Sequence, residues 1–294
     1  MKLAAIDIGS NAARLLITEV STNELLEPVF NKLNLVRVPL RLGFDVFEYG
    51  TIPKNKIGMI LQTMKAYKHL LNAYGVSNNN IIACATSAMR DARNATDIIR
   101  KIKLETDISI DVISGDMEAG LIYENHIAEN LDKDHSYMYI DVGGGSTELS
   151  FFSNGKLSYK ESFNIGTIRL LKEMVNDKSW DDMKDTIRSF TRGQKQVVAI
   201  GSGGNINKIF SMSKKKDGKP LSLELLRDYY KELSNVTLEE RIYRYDLRPD
   251  RADVIVPALL IYINAMRWAG TEEMFVPKIG LVDGLIHHLW EQVK

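Results

Sequence analysis

The chain contains the same kind of turn twice: residues 5–11 read AIDIGSN, and residues 139–147 read YIDVGGGST. Each stretch is a short apolar run with an aspartate, Asp7 or Asp141, followed by one further apolar residue and then a glycine turn. Short apolar runs bounded by glycine are typical of buried strands. A second run of strand-forming residues follows each turn, so both stretches predict two strands joined as a hairpin.

The sequence pattern outside the two hairpins also repeats. A third strand is expected in each half, at residues 33–42 and 156–163, and alternating helices and strands follow. The spacing of apolar residues predicts helices at 53–74, 95–106, 117–130, 167–174, 181–191, 205–211, 223–234, 237–243, 252–269 and 281–292, and further strands at 81–85, 110–113 and 197–200. A repeat 134 residues apart indicates duplicated domains rather than a solenoid. We therefore predict two α/β domains with a ligand-binding cleft between them.

Composition excludes several classes of protein. The 294 residues include 38 basic and 38 acidic side chains, so a duplex-DNA binder that relies on an excess of positive charge is not expected. The single cysteine, Cys84, cannot form an internal disulfide, and its apolar neighbours predict a reduced core residue. The sequence has no run of about 18 apolar residues, and Asp7 comes too early for a signal peptide. We expect a cytoplasmic protein that binds neither nucleic acid nor membrane.

The glycine turns are candidate phosphate sites. Glycine lets the backbone approach a ligand closely, and successive N–H groups in such a turn form an anion-binding nest. One such turn alone would be an ordinary hairpin turn, but two at matching positions favour phosphate binding. A third glycine loop follows the strand at 197–200. The predicted phosphate-binding residues are Gly9, Ser10, Asn11, Gly143, Gly144, Gly145, Ser146, Thr147, Gly201, Gly203 and Gly204.

The aspartate that ends each strand requires a different explanation, because a carboxylate does not itself attract phosphate. Its position makes sense if Mg²⁺, or another divalent cation, lies between the carboxylate and the phosphate oxygens. Asp7 and Asp141 are therefore candidate metal ligands.

Five segments together resemble the exopolyphosphatase and guanosine pentaphosphate phosphohydrolase family, which belongs to the actin, sugar-kinase and heat-shock-chaperone superfamily. The segments occur in family order, and they are residues 5–11, 85–94, 113–119, 140–149 and 251–253. The resemblance implies two ribonuclease-H-like domains of the actin-like ATPase type. It places residues 1–122 together with 281–294 in the first domain, and residues 123–280 in the second.

The resemblance also implies roles for particular residues. Glu118 matches the base that activates water, Arg90 matches an arginine of the phosphate site, and Asp141 and Glu148 match acids that organise metal and water. Taken alone, Glu118 would be a helix cap, Arg90 a surface ion pair and Glu148 part of a solvated strand face. Together with Asp7 from the turn argument, the candidate metal ligands are Asp7, Asp141 and Glu148, and the implied catalytic residues are Glu118, Arg90 and Glu148.

The expected activity is release of terminal phosphate from inorganic polyphosphate by metal-assisted attack of water. The alternative within the family is a guanosine pentaphosphate 5'-phosphohydrolase. More remote alternatives are a small-molecule kinase or a nucleotide-responsive binding protein of the same superfamily.

Larger family members carry a further helical region, and none follows residue 294 here, so we expect weak binding of long polymers. The basic loop at 213–219 is either a solvated surface loop or a landing site for a polyanion. The oligomeric state stays open, with a homodimer as one alternative.

Overall fold

The computed structural model describes residues 1–123, 135–194 and 196–294. The chain divides into two compact units, Met1–Asn125 with Leu281–Lys294, and His126–Gly280. Each unit contains one mixed β-sheet with helices around it. This organisation confirms the predicted α/β class.

The first unit is built on a five-stranded sheet. Its strands and helices are β1 Lys2–Ile8, β2 Ala12–Thr22, β3 Pro28–Pro39, α1 Leu42–Tyr49, α2 Lys54–Ala73, β4 Ile81–Ala85, α3 Ser87–Asp91, α4 Ala95–Thr106, β5 Asp111–Val112, α5 Gly115–Tyr123 and, from the end of the chain, α13 Leu281–Val293. The strand order is β3-β2-β1-β4-β5, with β1, β2 and β3 antiparallel and β4 and β5 parallel to β1.

One face of this sheet is covered by the last helix of the chain. Apolar residues of β1, β2 and β4 form a core with α13, where Leu285 and Leu289 are almost fully buried. At the edge strand β3, Phe30 packs on the His287 ring at a centroid distance of 4.1 Å. Lys32 on the same strand forms an ion pair with Asp283 of α13 at 2.5 Å. The C-terminal helix is thus an integral part of the first unit.

The second unit repeats the three-stranded start of the first. Its elements are β6 Ser136–Val142, β7 Thr147–Ser153, β8 Lys156–Phe163, α6 Thr167–Leu171, α7 Asp177–Thr191, β9 Val197–Ser202, α8 Gly204–Met212, β10 Leu221–Ser222, α9 Leu223–Ser234, α10 Leu238–Tyr245, α11 Pro249–Ala252, α12 Ile255–Ala269 and β11 Glu273–Phe275. The strand order is β10-β11-β9-β6-β7-β8, and β9 runs parallel to β6 as β4 does to β1.

The segment Pro249–Ala269, which includes α12, is long and apolar enough by composition to cross a membrane. It is instead a core helix of the second unit, because residues such as Ile261, Tyr262 and Met266 are at most 1% exposed. They pack with the apolar face of the sheet, which includes Met138 and Ile140.

Most predicted elements are present, with differences of a few residues at their ends. The third strand of the first unit is a correction: it spans Pro28–Pro39, and Leu42 begins a helix rather than ending the strand. Arg41 takes a left-handed conformation (φ 55°) that ends the extended segment. The short strands β10 and β11 carry too few residues for a periodic pattern and were not predicted. The last part of the predicted helix 117–130 lies outside the described residues.

Candidate functional site

The two predicted hairpins have the same geometry. In the first turn the Gly9 N–H donates to the Ala12 carbonyl at 3.1 Å, and in the second the Gly143 N–H donates to the Ser146 carbonyl at 2.9 Å. Both turns have four residues between paired strand ends. A Cβ added to either first glycine would lie 3.2 Å from the accepting carbonyl oxygen. The two turns are therefore equivalent backbone structures.

The second turn presents three N–H groups on one side. The carbonyls of Gly143 and Gly144 accept from the first two N–H groups of α6 at 3.0 and 2.8 Å, and the Gly145 carbonyl accepts from the Arg169 Nε at 2.8 Å. A trans peptide directs its N–H opposite to its carbonyl, and the described chain has no cis peptide. The N–H groups of Gly144, Gly145 and Ser146 consequently point away from α6. Three such groups in succession form an anion-binding nest.

The first turn is held in the same way. The carbonyls of Ser10 and Asn11 accept from N–H groups of the segment Leu40–Gly43, at distances of 2.8 to 3.1 Å. The N–H groups that follow these carbonyls are directed away from that segment. Each glycine turn is thus oriented by the chain that follows the third strand of its own unit.

Several predicted hydroxyl donors have other partners. The Ser10 hydroxyl is buried, lies 2.8 Å from the Ser87 hydroxyl and accepts from the Ala88 N–H. The Thr147 hydroxyl is buried and donates to the Ile165 carbonyl at 2.6 Å. These two side chains hold the turns in place through contacts within the protein.

Asp7 is paired with an arginine. Its Oδ2 accepts from the Arg14 guanidinium at 2.7 Å, and the two residues are direct partners across β1 and β2. Burial raises the pKa of the Asp7 carboxyl, and Arg14 opposes that rise. The buried Oδ1 has no hydrogen-bond partner among the described residues. The Arg14 charge at this carboxylate does not favour a cation there.

Asp141 is paired instead with a second acid. Glu148 faces it across β6 and β7, at the position where the first unit has Arg14. Glu148 is 2% exposed, and its Oε1 accepts from the Ser162 hydroxyl at 2.8 Å. Two neighbouring carboxylates next to a glycine turn supply hard oxygen ligands, which Mg²⁺ prefers.

The strand on the other side of Asp141 adds a hydroxyl and a glycine. Ser202 is the parallel partner of Asp141, is 1% exposed, and its hydroxyl has no partner among the described residues. Gly203 follows with φ 106°, and a Cβ there would lie 3.0 Å from Asp141 Oδ1. The Tyr262 hydroxyl donates to the Ser202 carbonyl and so fixes this turn. Burial and the charge of Asp141 raise the Tyr262 pKa well above its ordinary value, which keeps the phenol protonated.

The other two glycines of the 201–204 loop have distinct environments. Gly201 lies within β9, where a Cβ would meet the Met274 sulfur at 2.5 Å, so its small size serves packing. Gly204 begins α8, and its carbonyl accepts from the Arg251 guanidinium at 2.5 Å. Of this loop, Gly203 is the glycine that lies against an acid of the candidate site.

In the first unit, Glu118 lies at the start of α5. The Ser114 hydroxyl caps this helix by accepting from the Met117 N–H at 3.1 Å. Since the cap is Ser114, helix capping does not explain why Glu118 is a buried acid. Burial raises the pKa of the Cys84 thiol, and the charges of Asp7 and Glu118 raise it further, so both acids lie near the same part of the unit.

Arg90 is anchored next to the same helix. Its guanidinium donates to the Ile113 carbonyl at 3.0 Å, and Ile113 directly precedes Ser114. The predicted base Glu118 and the predicted phosphate ligand Arg90 thus belong to one end of the unit. The helix N-terminus beneath them favours negative charge.

A model of the Ppx/GppA phosphatase family matches residues 21–292 of the chain. The chain belongs to the Ppx/GppA phosphatase family. This membership confirms the family predicted from the sequence and supports the predicted class of enzyme, a phosphohydrolase.

Individual relatives agree with this assignment. The bifunctional 3-dehydroquinate synthase/phosphatase of Fusobacterium nucleatum is 29% identical over 93% of the chain, which spans only 44% of that protein. Exopolyphosphatase 1 of Mycobacterium tuberculosis H37Rv is 23% identical over 97% of the chain and 87% of its own length. The crystal structure of an exopolyphosphatase from Cytophaga hutchinsonii has a TM-score of 0.82 at 24% identity and covers 100% of this chain and 99% of its own. The last comparison confirms the actin-like two-domain fold.

Several residues that surround the acids were not predicted from the sequence. Arg14, Ser162, Ser202 and Tyr262 become neighbours of Asp7, Glu148 or Asp141 only through strand register or helix packing. The Arg14 contact could have been inferred by aligning the two hairpins, because Arg14 and Glu148 both lie seven residues after the aspartate.

Proposed function

We propose that this protein releases the terminal phosphate of inorganic polyphosphate by hydrolysis, with a divalent cation, Mg²⁺, held at Asp141 and Glu148. The observation that carries the proposal is the second hairpin, in which two paired carboxylates stand beside a turn with three aligned N–H groups. Family membership and the relatives named exopolyphosphatase support the choice of substrate.

The residues around Asp141 fit a cation. The described groups beside Asp141 include the Glu148 carboxylate and the buried Ser202 hydroxyl, which has no partner among the described residues, and Gly203 keeps the space beside Asp141 Oδ1 open. No group of three His, Cys, Asp or Glu side chains suited to a metal occurs in the described part of the chain. Two carboxylates completed by neutral oxygens are usual for Mg²⁺, which retains several water ligands. When bound, the cation would neutralise charge on the phosphate oxygens.

The side chains of the protein supply the remaining requirements of phosphoryl transfer, which are positioning and an oriented water. The N–H groups of Gly144, Gly145 and Ser146 bind the phosphate oxygens. Arg90 neutralises phosphate charge with its guanidinium, and the buried Glu118 accepts a proton from the attacking water. Asp7 has a different role from Asp141: its carboxylate is bound to Arg14 and fixes that side chain.

Long polymers are not the favoured substrate. The charges of the chain balance, and contacts within the protein hold two side chains of the basic loop at 213–219. Asp217 forms an ion pair with Lys278 at 2.6 Å, and the Lys215 amine donates to the Pro220 carbonyl at 2.7 Å. Extended polyanions need a continuous basic track whose effect weakens with salt.

The experiment compares phosphate release from tripolyphosphate, long-chain polyphosphate, guanosine pentaphosphate and ATP. We expect tripolyphosphate to have the highest kcat/KM. Glu118→Gln should lower kcat by about 10²–10⁴-fold, the usual contribution of a positioned base. The matched control is Asp116→Asn, an exposed acid on the same helix, which should retain activity. A Glu118→Gln enzyme with unchanged kcat would refute the mechanism, and preference for guanosine pentaphosphate would refute the substrate.

A further inference from the structure

The acids of the second unit belong to a longer polar row. Across neighbouring strands the register aligns Ser162, Glu148, Asp141 and Ser202 in that order. Because side chains alternate along a strand, this row lies on the opposite face of the sheet from the core residues Ile140 and Leu149. The two acids are thus flanked by a serine on each side.

The two serines differ in what they contact. The Ser162 hydroxyl donates to Glu148 Oε1 at 2.8 Å, which fixes the rotation of that carboxylate. The Ser202 hydroxyl is buried and has no hydrogen-bond partner among the described residues. Buried hydroxyls in proteins normally have a hydrogen-bond partner, so such a group calls for an explanation.

The position of Ser202 supplies that explanation. Neighbouring strands lie about 4.8 Å apart, so the side chains of Ser202 and Asp141 are adjacent on the same face. The Tyr262 hydroxyl binds the Ser202 carbonyl and holds the backbone at this point. A neutral hydroxyl oxygen beside a carboxylate is a suitable ligand for a hard divalent cation.

We propose that Ser202 is a ligand of the divalent cation, contributing its hydroxyl oxygen alongside Asp141, and that Ser162 positions Glu148 for the same site. This inference rests on the proposed function, because it takes the acid pair as the cation site. It gives the buried Ser202 hydroxyl, which has no hydrogen-bond partner among the described residues, a partner in the bound cation.

The Ser202→Ala variant distinguishes a metal ligand from a purely structural residue, because the two roles predict different changes in Mg²⁺ affinity and in metal-free stability. Removing an unpartnered buried hydroxyl leaves the metal-free protein as stable as before or more stable. Removing a ligand weakens Mg²⁺ binding, and we expect a loss of about 10-fold or more. The measurements are calorimetric titration with Mg²⁺ and thermal unfolding without metal.

The matched control is Thr18→Val on β2 of the first unit. Thr18 also has a buried hydroxyl without a partner in the described residues, but it has no acid pair beside it. The variant should show the same or higher metal-free stability and an unchanged Mg²⁺ affinity. A Thr18→Val protein that lost Mg²⁺ affinity equally would overturn the assignment of Ser202.

Ser202→Cys provides a readout that only a ligand would change. A thiolate is a soft ligand, so this variant should lose Mg²⁺ affinity and gain Cd²⁺ affinity relative to the wild type. Unchanged affinities for both metals in Ser202→Cys, with unchanged Mg²⁺ affinity in Ser202→Ala, would overturn the proposal. Asp141→Asn is titrated in parallel: if it too bound Mg²⁺ normally, the proposed function would fail, whereas loss in Asp141→Asn alone would refute only the role of Ser202.

Discussion

The two hairpins have the same backbone arrangement and differ in the charge of the side chain that faces the aspartate. Both place an aspartate at the end of the first strand and hold a four-residue turn by the same N–H to carbonyl contact. The partner of that aspartate is Arg14 in the first unit and Glu148 in the second. One hairpin therefore contains an internal ion pair, while the other concentrates negative charge. The duplicated turns thus offer different groups to a ligand.

The residues aligned with each aspartate on the neighbouring strands also differ between the two units. In the first unit the row through the aspartate includes Arg37, Arg14, Asp7 and Cys84, and in the second it includes Ser162, Glu148, Asp141 and Ser202. The first row offers two cationic groups, and burial raises the pKa of the Cys84 thiol well above its ordinary value. The second row offers oxygen ligands at every position.

The largest effect is expected from converting the second hairpin into the first. Glu148→Arg should form an ion pair with Asp141, as Arg14 does with Asp7, so the protein should remain folded. Loss of the acid pair should lower kcat by at least about 10²–10³-fold and abolish stabilisation by Mg²⁺. Phosphate release and unfolding with and without Mg²⁺ measure both effects.

Glu161→Arg serves as the control for that substitution. Glu161 lies on β8 opposite Leu149, and its carboxylate accepts from the Tyr159 hydroxyl at 2.8 Å. Glu161→Arg changes the net charge by the same amount as Glu148→Arg, but at a position outside the pair of Asp141 and Glu148. Retained Mg²⁺ stabilisation in Glu148→Arg, or its equal loss in Glu161→Arg, would contradict the role given to the pair.

A smaller effect is expected from breaking the ion pair of the first hairpin. Arg14→Met leaves the Asp7 carboxylate buried without its cation and should lower the free energy of unfolding by about 2 kcal/mol. This is less than the ~3–5 kcal/mol of a fully buried pair, because the Arg14 side chain is 32% exposed. Mg²⁺ affinity should be unchanged.

The stability loss of Arg14→Met should depend on pH. Burial raises the Asp7 pKa, and loss of Arg14 raises it further. A raised carboxyl pKa favours the folded state at low pH, and that contribution disappears as pH rises through the folded pKa. The loss should thus be small below about pH 4, the ordinary aspartate range, and grow toward neutral pH. Denaturation at several pH values tests this, and a constant loss would exclude Asp7 as its source.

The smallest effect is expected from substituting the first glycine of each turn, a residue that both hairpins have in common. Gly9→Ala and Gly143→Ala each bring a Cβ to 3.2 Å from a carbonyl oxygen. We expect similar destabilisation of about 1 kcal/mol for both variants, since the required shift is a few tenths of an ångström. Chemical denaturation measures it. A large difference between the two would show that the turns are not equivalent.

The sequence predicted the hairpins well because their signals are local. An apolar run, an acid and a glycine turn lie within seven residues, and both Asp7 and Asp141 occur at the ends of strands as expected. Asn154-Gly155 likewise forms a turn, with φ of 53° and 72°, which is the conformation that this dipeptide favours in hairpins. The helix 53–74 was predicted from its apolar spacing and is present as Lys54–Ala73.

The contacts of the acids were not predictable in the same way. Strand register places Arg14 beside Asp7 and Ser202 beside Asp141, and that register depends on how the strands of the whole sheet pair. The hydroxyls of Ser10 and Thr147 were expected to bind phosphate, but helix α3 and the Ile165 carbonyl are their partners. Those partners are distant in sequence, so a local pattern carries no signal for them.

The most direct test of this account is Mg²⁺ titration of Asp7→Asn and Asp141→Asn side by side with the wild type. Both variants exchange one buried or half-buried carboxylate for an amide at equivalent positions of the two hairpins. We expect Asp7→Asn to bind Mg²⁺ like the wild type and Asp141→Asn to lose about 10-fold or more in Mg²⁺ affinity. Equal loss in both variants, or loss only in Asp7→Asn, would contradict it.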